Sequence, residues 1–162
     1  MTARISPPFS YLDAIRRSHL ILSQPPAQGH IRRVDPVGEL VNQFALPLDL
    51  CKPQNRTRHS AGWALGKLKT ECFKQMWIQN GGRKERAPLP GRPMVRAVRF
   101  SSVEPDRFSD WAKVPIDRLC VGKMGLGYLR NDRPKDAQIE CWWEPGPKSD
   151  GWCLIEVWTG EP

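Results

Sequence analysis

Residues 138–158 read QIECWWEPGPKSDGWCLIEVW, and this stretch decides the fold class. Gln138 to Glu144 and Trp152 to Trp158 are short runs of aromatic and β-branched residues, which suit the pleated, half-buried surface of a strand. Pro-Gly-Pro-Lys-Ser-Asp-Gly between them is turn chemistry. The two runs are therefore expected to form a β-hairpin.

Upstream, Met94 to Ser102 (MVRAVRFSS) reads as a further strand. Phe44 to Leu50 (FALPLDL) reads as an edge strand, because Pro47 has no N–H to give to a ladder. Trp63 to Gln79 places Leu65, Leu68, Cys72 and Met76 at the three-and-four spacing of an amphipathic helix, with Ser60 as its cap and Lys67, Lys69 and Lys74 on the outer face. Asn80 to Pro93 is a Gly, Pro and Arg loop. Glu104 to Leu119 is expected to form a second helix, bent at Pro115. Residues 1–42 are rich in Pro and Gly and hold one short helix, Phe9 to Leu22, in a partly ordered extension. The expectation is an α+β domain over residues 43–162: a small mixed sheet of about four strands with two principal helices packed on one side.

The chain has 162 residues, of which 40% are hydrophobic and 26% charged, enough for one buried core and too apolar for a disordered tail. It contains no apolar run long enough to span a bilayer and no secretion signal, so a cytoplasmic location without membrane association is expected. Five cysteines at irregular spacings, with no C-x-x-C, support neither a zinc ribbon nor a disulfide framework; most are expected in the core. His19, His30 and His59 are scattered and read as surface residues.

The net charge of +8 is uneven. Residues 52–99 carry twelve Lys/Arg against two acids, whereas residues 100–162 carry eight against eleven. The basic block is a candidate footprint for a polyanion, since each cation placed near a phosphate releases condensed counterions. Carboxylates clustered downstream of such a block call for cations of their own.

On a helical projection Asp106, Asp110, Lys113 and Asp117 fall within about 60° of one another, opposite Phe108, Ala112, Ile116 and Leu119. A solvated helix face with an Asp110–Lys113 pair is the plain alternative. Carboxylates without His or Cys suit Mg²⁺ or Mn²⁺ rather than zinc. A further acid, Asp132, follows an apolar run in Tyr128-Leu-Arg-Asn-Asp-Arg-Pro-Lys, a stretch that also reads as a turn.

In this order the motifs resemble the RusA-type Holliday junction resolvases, small homodimeric endonucleases. The resemblance runs through Leu46-Pro47, Pro53-Gln54-Asn55, Asp106 to Asp110-Trp-Ala-Lys113, Ile116-Asp117-Arg-Leu119, Asn131-Asp132-Arg-Pro134-Lys135 and Leu154 to Trp158. It covers about residues 43–160. The family's Asp-x-Asp-Asn is not reproduced, so either Glu104 or Asp110 fills its second acidic position, and Asn131 stands where the family has the first of two aspartates.

What the resemblance implies is a Mg²⁺-dependent (or Mn²⁺-dependent) endonuclease that resolves four-way DNA junctions as a homodimer. Asp106, Asp110, Lys113 and Asp132 would be catalytic, with Asp106, Asp110 and Asp132 as metal ligands. Lys52, Asn55, Arg56, Arg58, Lys67 and Lys74 would contact DNA. Arg107 and Asn131 keep open a catalytically impaired DNA-binding protein on the same fold, and the basic block keeps open a small RNA-binding domain.

Overall fold

A computed structural model of the chain describes residues 8–53 and 61–162. The elements, in order, are helix α1 (Tyr11–Leu22), strand β1 (Leu40–Pro47), a 3₁₀ turn (Leu48–Leu50), helix α2 (Ala61–Gln79), strand β2 (Arg92–Ser101), helix α3 (Lys113–Asp117), strand β3 (Gln138–Pro145) and strand β4 (Trp152–Glu161). The four strands form one mixed sheet in the order β1-β4-β2-β3, and the fold is α+β.

β4 lies inside the sheet, antiparallel to both β1 and β2. That position explains its almost unbroken apolar run. Cys153, Ile155 and Val157 enter the larger core with Phe44, Leu46, Val95, Ala97, Cys72 and Met76. Trp152 and Leu154 enter a second core on the opposite face with Ala45, Val98, Phe100 and Ala14. A strand covered on both faces has no polar side to alternate with.

α2 and α3 share the face of the larger core. α1 covers the other face, so the helix within the N-terminal 1–42 segment packs on the same sheet as the rest. Ser10 caps it by accepting from the Asp13 N–H, 3.3 Å. Its buried residues Ala14 and Ser18 lie one turn apart, and the Ser18 hydroxyl accepts from the Trp152 indole N–H at 2.7 Å. Arg33 fastens the helix end: its guanidinium donates to the Ile21, Leu22 and Gln24 carbonyls and to both oxygens of Glu144, a carboxylate only 1% exposed.

β1 is an edge strand, as Pro47 requires. The Ala45 N–H donates to Gln79 Oε1 (3.0 Å) and the Ala45 carbonyl accepts from Gln79 Nε2 (2.8 Å), so the last residue of α2 occupies a peptide unit that β4 leaves free.

The expected hairpin does not form. β3 pairs in parallel with β2, and β2 lies between β3 and β4. The connection from β3 to β4 therefore passes over the end of β2, and glycine makes this possible. A Cβ on Gly146 would lie 2.8 Å from the Phe100 and Ser101 backbone, and one on Gly151 would lie 2.6 Å from the Phe100 carbonyl oxygen. Turn-forming residues signal a reversal; they do not say which strand comes next to which.

A parallel β2–β3 pair also requires a long crossover. Residues 102–137 supply it on the face of the larger core, and the candidate acidic residues are carried there.

Candidate functional site

The expected helix over Glu104 to Leu119 is reduced to the five residues of α3. Pro115 sets this limit. In α3 it is the third residue, where its missing N–H has no intrahelical acceptor to lose; in a helix begun at Glu104 it would break a bond to Trp111 and clash with that turn. The residues before α3 form separate turns, with Ser109 N–H donating to the Asp106 carbonyl and Lys113 N–H to that of Asp110, both 2.9 Å. Trp111 and Ala112 are buried in the larger core, which anchors this segment. The common helical face of Asp106, Asp110, Lys113 and Asp117 is thus not realised. Only Lys113 and Asp117 keep their helical relation.

After α3 the chain doubles back on itself. Cys120 and Leu129 form an isolated parallel bridge, with Val121 N–H donating to the Leu129 carbonyl (2.8 Å) and Leu129 N–H to that of Leu119 (3.1 Å). This returns Asn131 and Asp132 to the side of α3. The Asp132 N–H donates to the Asn131 side chain at 2.7 Å, fixing the turn.

The result is a compact charged group. Lys113 Nζ donates to Asp117 Oδ1 at 3.0 Å and to Asp132 Oδ2. The hydrogen bond from Lys113 holds the Asp132 carboxyl below the ordinary carboxylate range. The same bond, joined by that to Asp117, raises the Lys113 ammonium above its usual value. All three side chains are part-exposed. Cys120 lies near them, and burial, reinforced by the two carboxylates, pushes its thiol up to about 11, which disfavours the thiolate at neutral pH.

Two of the four expected catalytic residues, Lys113 and Asp132, are therefore in contact. Asp106 is exposed in its turn, Asp110 is half-buried, and Glu104 is exposed with its carboxylate 3.6 Å from His30 Nε2. Among the described residues, no three His, Cys, Asp or Glu side chains form a group able to hold a metal ion. The sequence reading gave Asp117 no catalytic role, although its Lys113-to-Asp117 spacing, one helical turn, was the available signal.

Of the expected DNA contacts, Lys52, Lys67 and Lys74 are exposed. Lys67 lies over the Trp63 ring, 5.6 Å from its centroid, and Lys74 is 4.0 Å from Glu71. Asn55, Arg56 and Arg58 lie outside the described residues. Cys51, Cys72 and Cys153 are buried, and all five cysteines are free. Among the described residues no helix is long and apolar enough to cross a membrane.

No family model, no curated protein and no solved structure matches this chain.

Proposed function

We propose that this protein is a metal-dependent endonuclease acting on branched DNA, with Lys113 and Asp132 at its reacting centre. The observation that carries this reading is the Lys113 ammonium seated between carboxylates from two separate stretches of the crossover. The basic block that precedes it supplies affinity for phosphates, which positions a substrate without reading its sequence.

Two carboxylates whose oxygens converge on one cationic nitrogen are a donor set suited to Mg²⁺ or Mn²⁺, which bind through one or two carboxylates plus water and phosphate oxygens. Asp132 and Asp117 would hold such an ion. When bound, the ion lowers the pKa of a water and stabilises charge on the phosphoryl oxygens. Asp132 is ionised at neutral pH as any ordinary carboxyl is, and its lysine holds it further below that range. Lys113 keeps a full positive charge at Nζ, a point charge for the scissile phosphate. Lys52, Lys67 and Lys74, with Asn55, Arg56 and Arg58, contact flanking phosphates. Two copies related by a two-fold axis would offer two such centres to the arms of a four-way junction. A cytoplasmic location goes with this reading.

The test is nicking of a synthetic four-way junction with Mg²⁺ or Mn²⁺. Wild type should cut, and Asp132→Asn and Lys113→Gln should each lose about a hundred-fold or more in rate. Unchanged cutting by Asp132→Asn overturns the assignment.

A second reading, a DNA-binding protein without catalysis, is favoured by one feature: Lys113 already bonds both carboxylates of the Asp117–Asp132 pair and offsets one of their two charges. Tight junction binding with no metal-dependent cutting would support it.

A further inference from the structure

We propose that the cleft between the first turns of α2 and the Leu48–Leu50 turn binds an unpaired nucleobase of single-stranded nucleic acid by stacking on Trp63. This deepens the proposed function by naming a feature of its substrate, and it rests on that reading for the polyanion, not for cleavage.

Trp63 is 75% exposed on a helix whose core contacts come from Leu65, Leu68, Cys72, Phe73 and Met76. Packing does not account for an indole placed outside the core. One turn along, Lys67 sets its ammonium 5.6 Å from the Trp63 ring centroid, which draws the indole into a cationic setting. Beside them lies a cleft of about 360 Å³, lined by Leu50, Pro53, Trp63 and Leu68 and by the cations Lys52 and Lys67. Its size falls within the range of small-ligand sites.

The chemistry selects the occupant. A flat π surface, an apolar floor and two flanking ammonium groups match a base joined to its phosphates, the combination that single-strand binders use without regard to sequence. Of the two acids in the lining, Glu71 is paired with Lys74, and Asp49 offers an acceptor to the amino group of a base. A lipid surface would supply the anions but no ring to stack, and an acidic peptide carries a ring only where an aromatic side chain stands among its acids, whereas every nucleotide joins the two.

The experiment measures fluorescence anisotropy of labelled 12-nucleotide DNA and RNA strands and of a blunt DNA duplex, with chelator present so that nothing is cut. Trp63→Ala and Trp63→Leu should each weaken single-strand binding about ten-fold, whereas Trp63→Phe, which keeps a π face, should stay within about three-fold of wild type. Duplex binding should be unchanged by all three. Lys67→Gln should weaken every ligand and flatten the salt dependence. Comparable loss on DNA and RNA marks recognition of the base; loss on one alone narrows the site to that strand.

Unaltered single-strand binding by Trp63→Ala, equal loss on duplex, full retention by Trp63→Leu, or no single-strand binding by wild type would each overturn the proposal. Thermal melting of the variants confirms folding, since an exposed side chain is exchanged. Single-strand binding that persists where junction nicking fails removes the nuclease reading and leaves this one standing. Nicking that survives while Trp63→Ala binds normally does the reverse.

Discussion

Lys113 and Asp132, nineteen residues apart, form an ion pair that ties α3 to the turn beyond the Cys120–Leu129 bridge. With both side chains part-exposed, the pair contributes roughly 0–1 kcal/mol to stability, as screened ion pairs do. Asp132→Asn should therefore shift the urea midpoint little while removing metal-dependent nicking. A large stability loss with nicking retained would mark the pair as structural only.

The pair also sets a pH window. A carboxyl whose folded pKa lies below its reference value of 3.8 adds stability that is present above that value and is lost as pH falls through the folded one. An ammonium raised above 10.5 adds stability that is present below that value and is lost as pH climbs through the folded one. The difference in urea midpoint between wild type and Asp132→Asn should hold constant from about pH 5 to 9 and shrink on either side. A difference that changes across neutral pH would show another group in control.

Arg33 and Glu144 behave differently because Glu144 is buried. Arg33→Met strips that carboxylate of its bidentate partner and leaves it only the Trp142 indole N–H at 2.8 Å, which should cost about 3–5 kcal/mol. The double variant Arg33→Met with Glu144→Gln should recover much of this, because a neutral amide needs no counter-charge. Chemical denaturation measures both. Limited proteolysis should show the segment between α1 and β1 cut faster in the single variant.

Gln79→Leu exposes the Ala45 peptide unit at the sheet edge. Two hydrogen bonds to part-buried backbone are lost, and the cost should be about 1–3 kcal/mol. Denaturation reads the stability. Light scattering at rising concentration should show association beyond that of wild type.

Much of this architecture was legible in the sequence because it rests on period. Leu65, Leu68, Cys72 and Met76 marked the buried side of α2, Pro47 marked β1 as an edge, and the runs at 94–102, 138–144 and 152–158 announced β2, β3 and β4 by composition. What local pattern does not encode is which strand stands beside which. The turn residues at 145–151 suit a hairpin and a passage over β2 equally well, and only the close approach of Gly146 and Gly151 to Phe100 separates them. The segment 104–119 misled for a related reason: its apolar residues have helical spacing, but burial of Trp111 and the position of Pro115 confine the helix to five residues. Lys113 and Asp132 were named from motif order. Their contact depends on the Cys120–Leu129 bridge, a tertiary event, and so does the part that Asp117 takes in it.

A single amide at the end of α2 answers both the donor and the acceptor of one peptide unit in β1. Of the two outer strands of the sheet, β1 therefore offers no foothold at its midpoint to a matching strand from another copy.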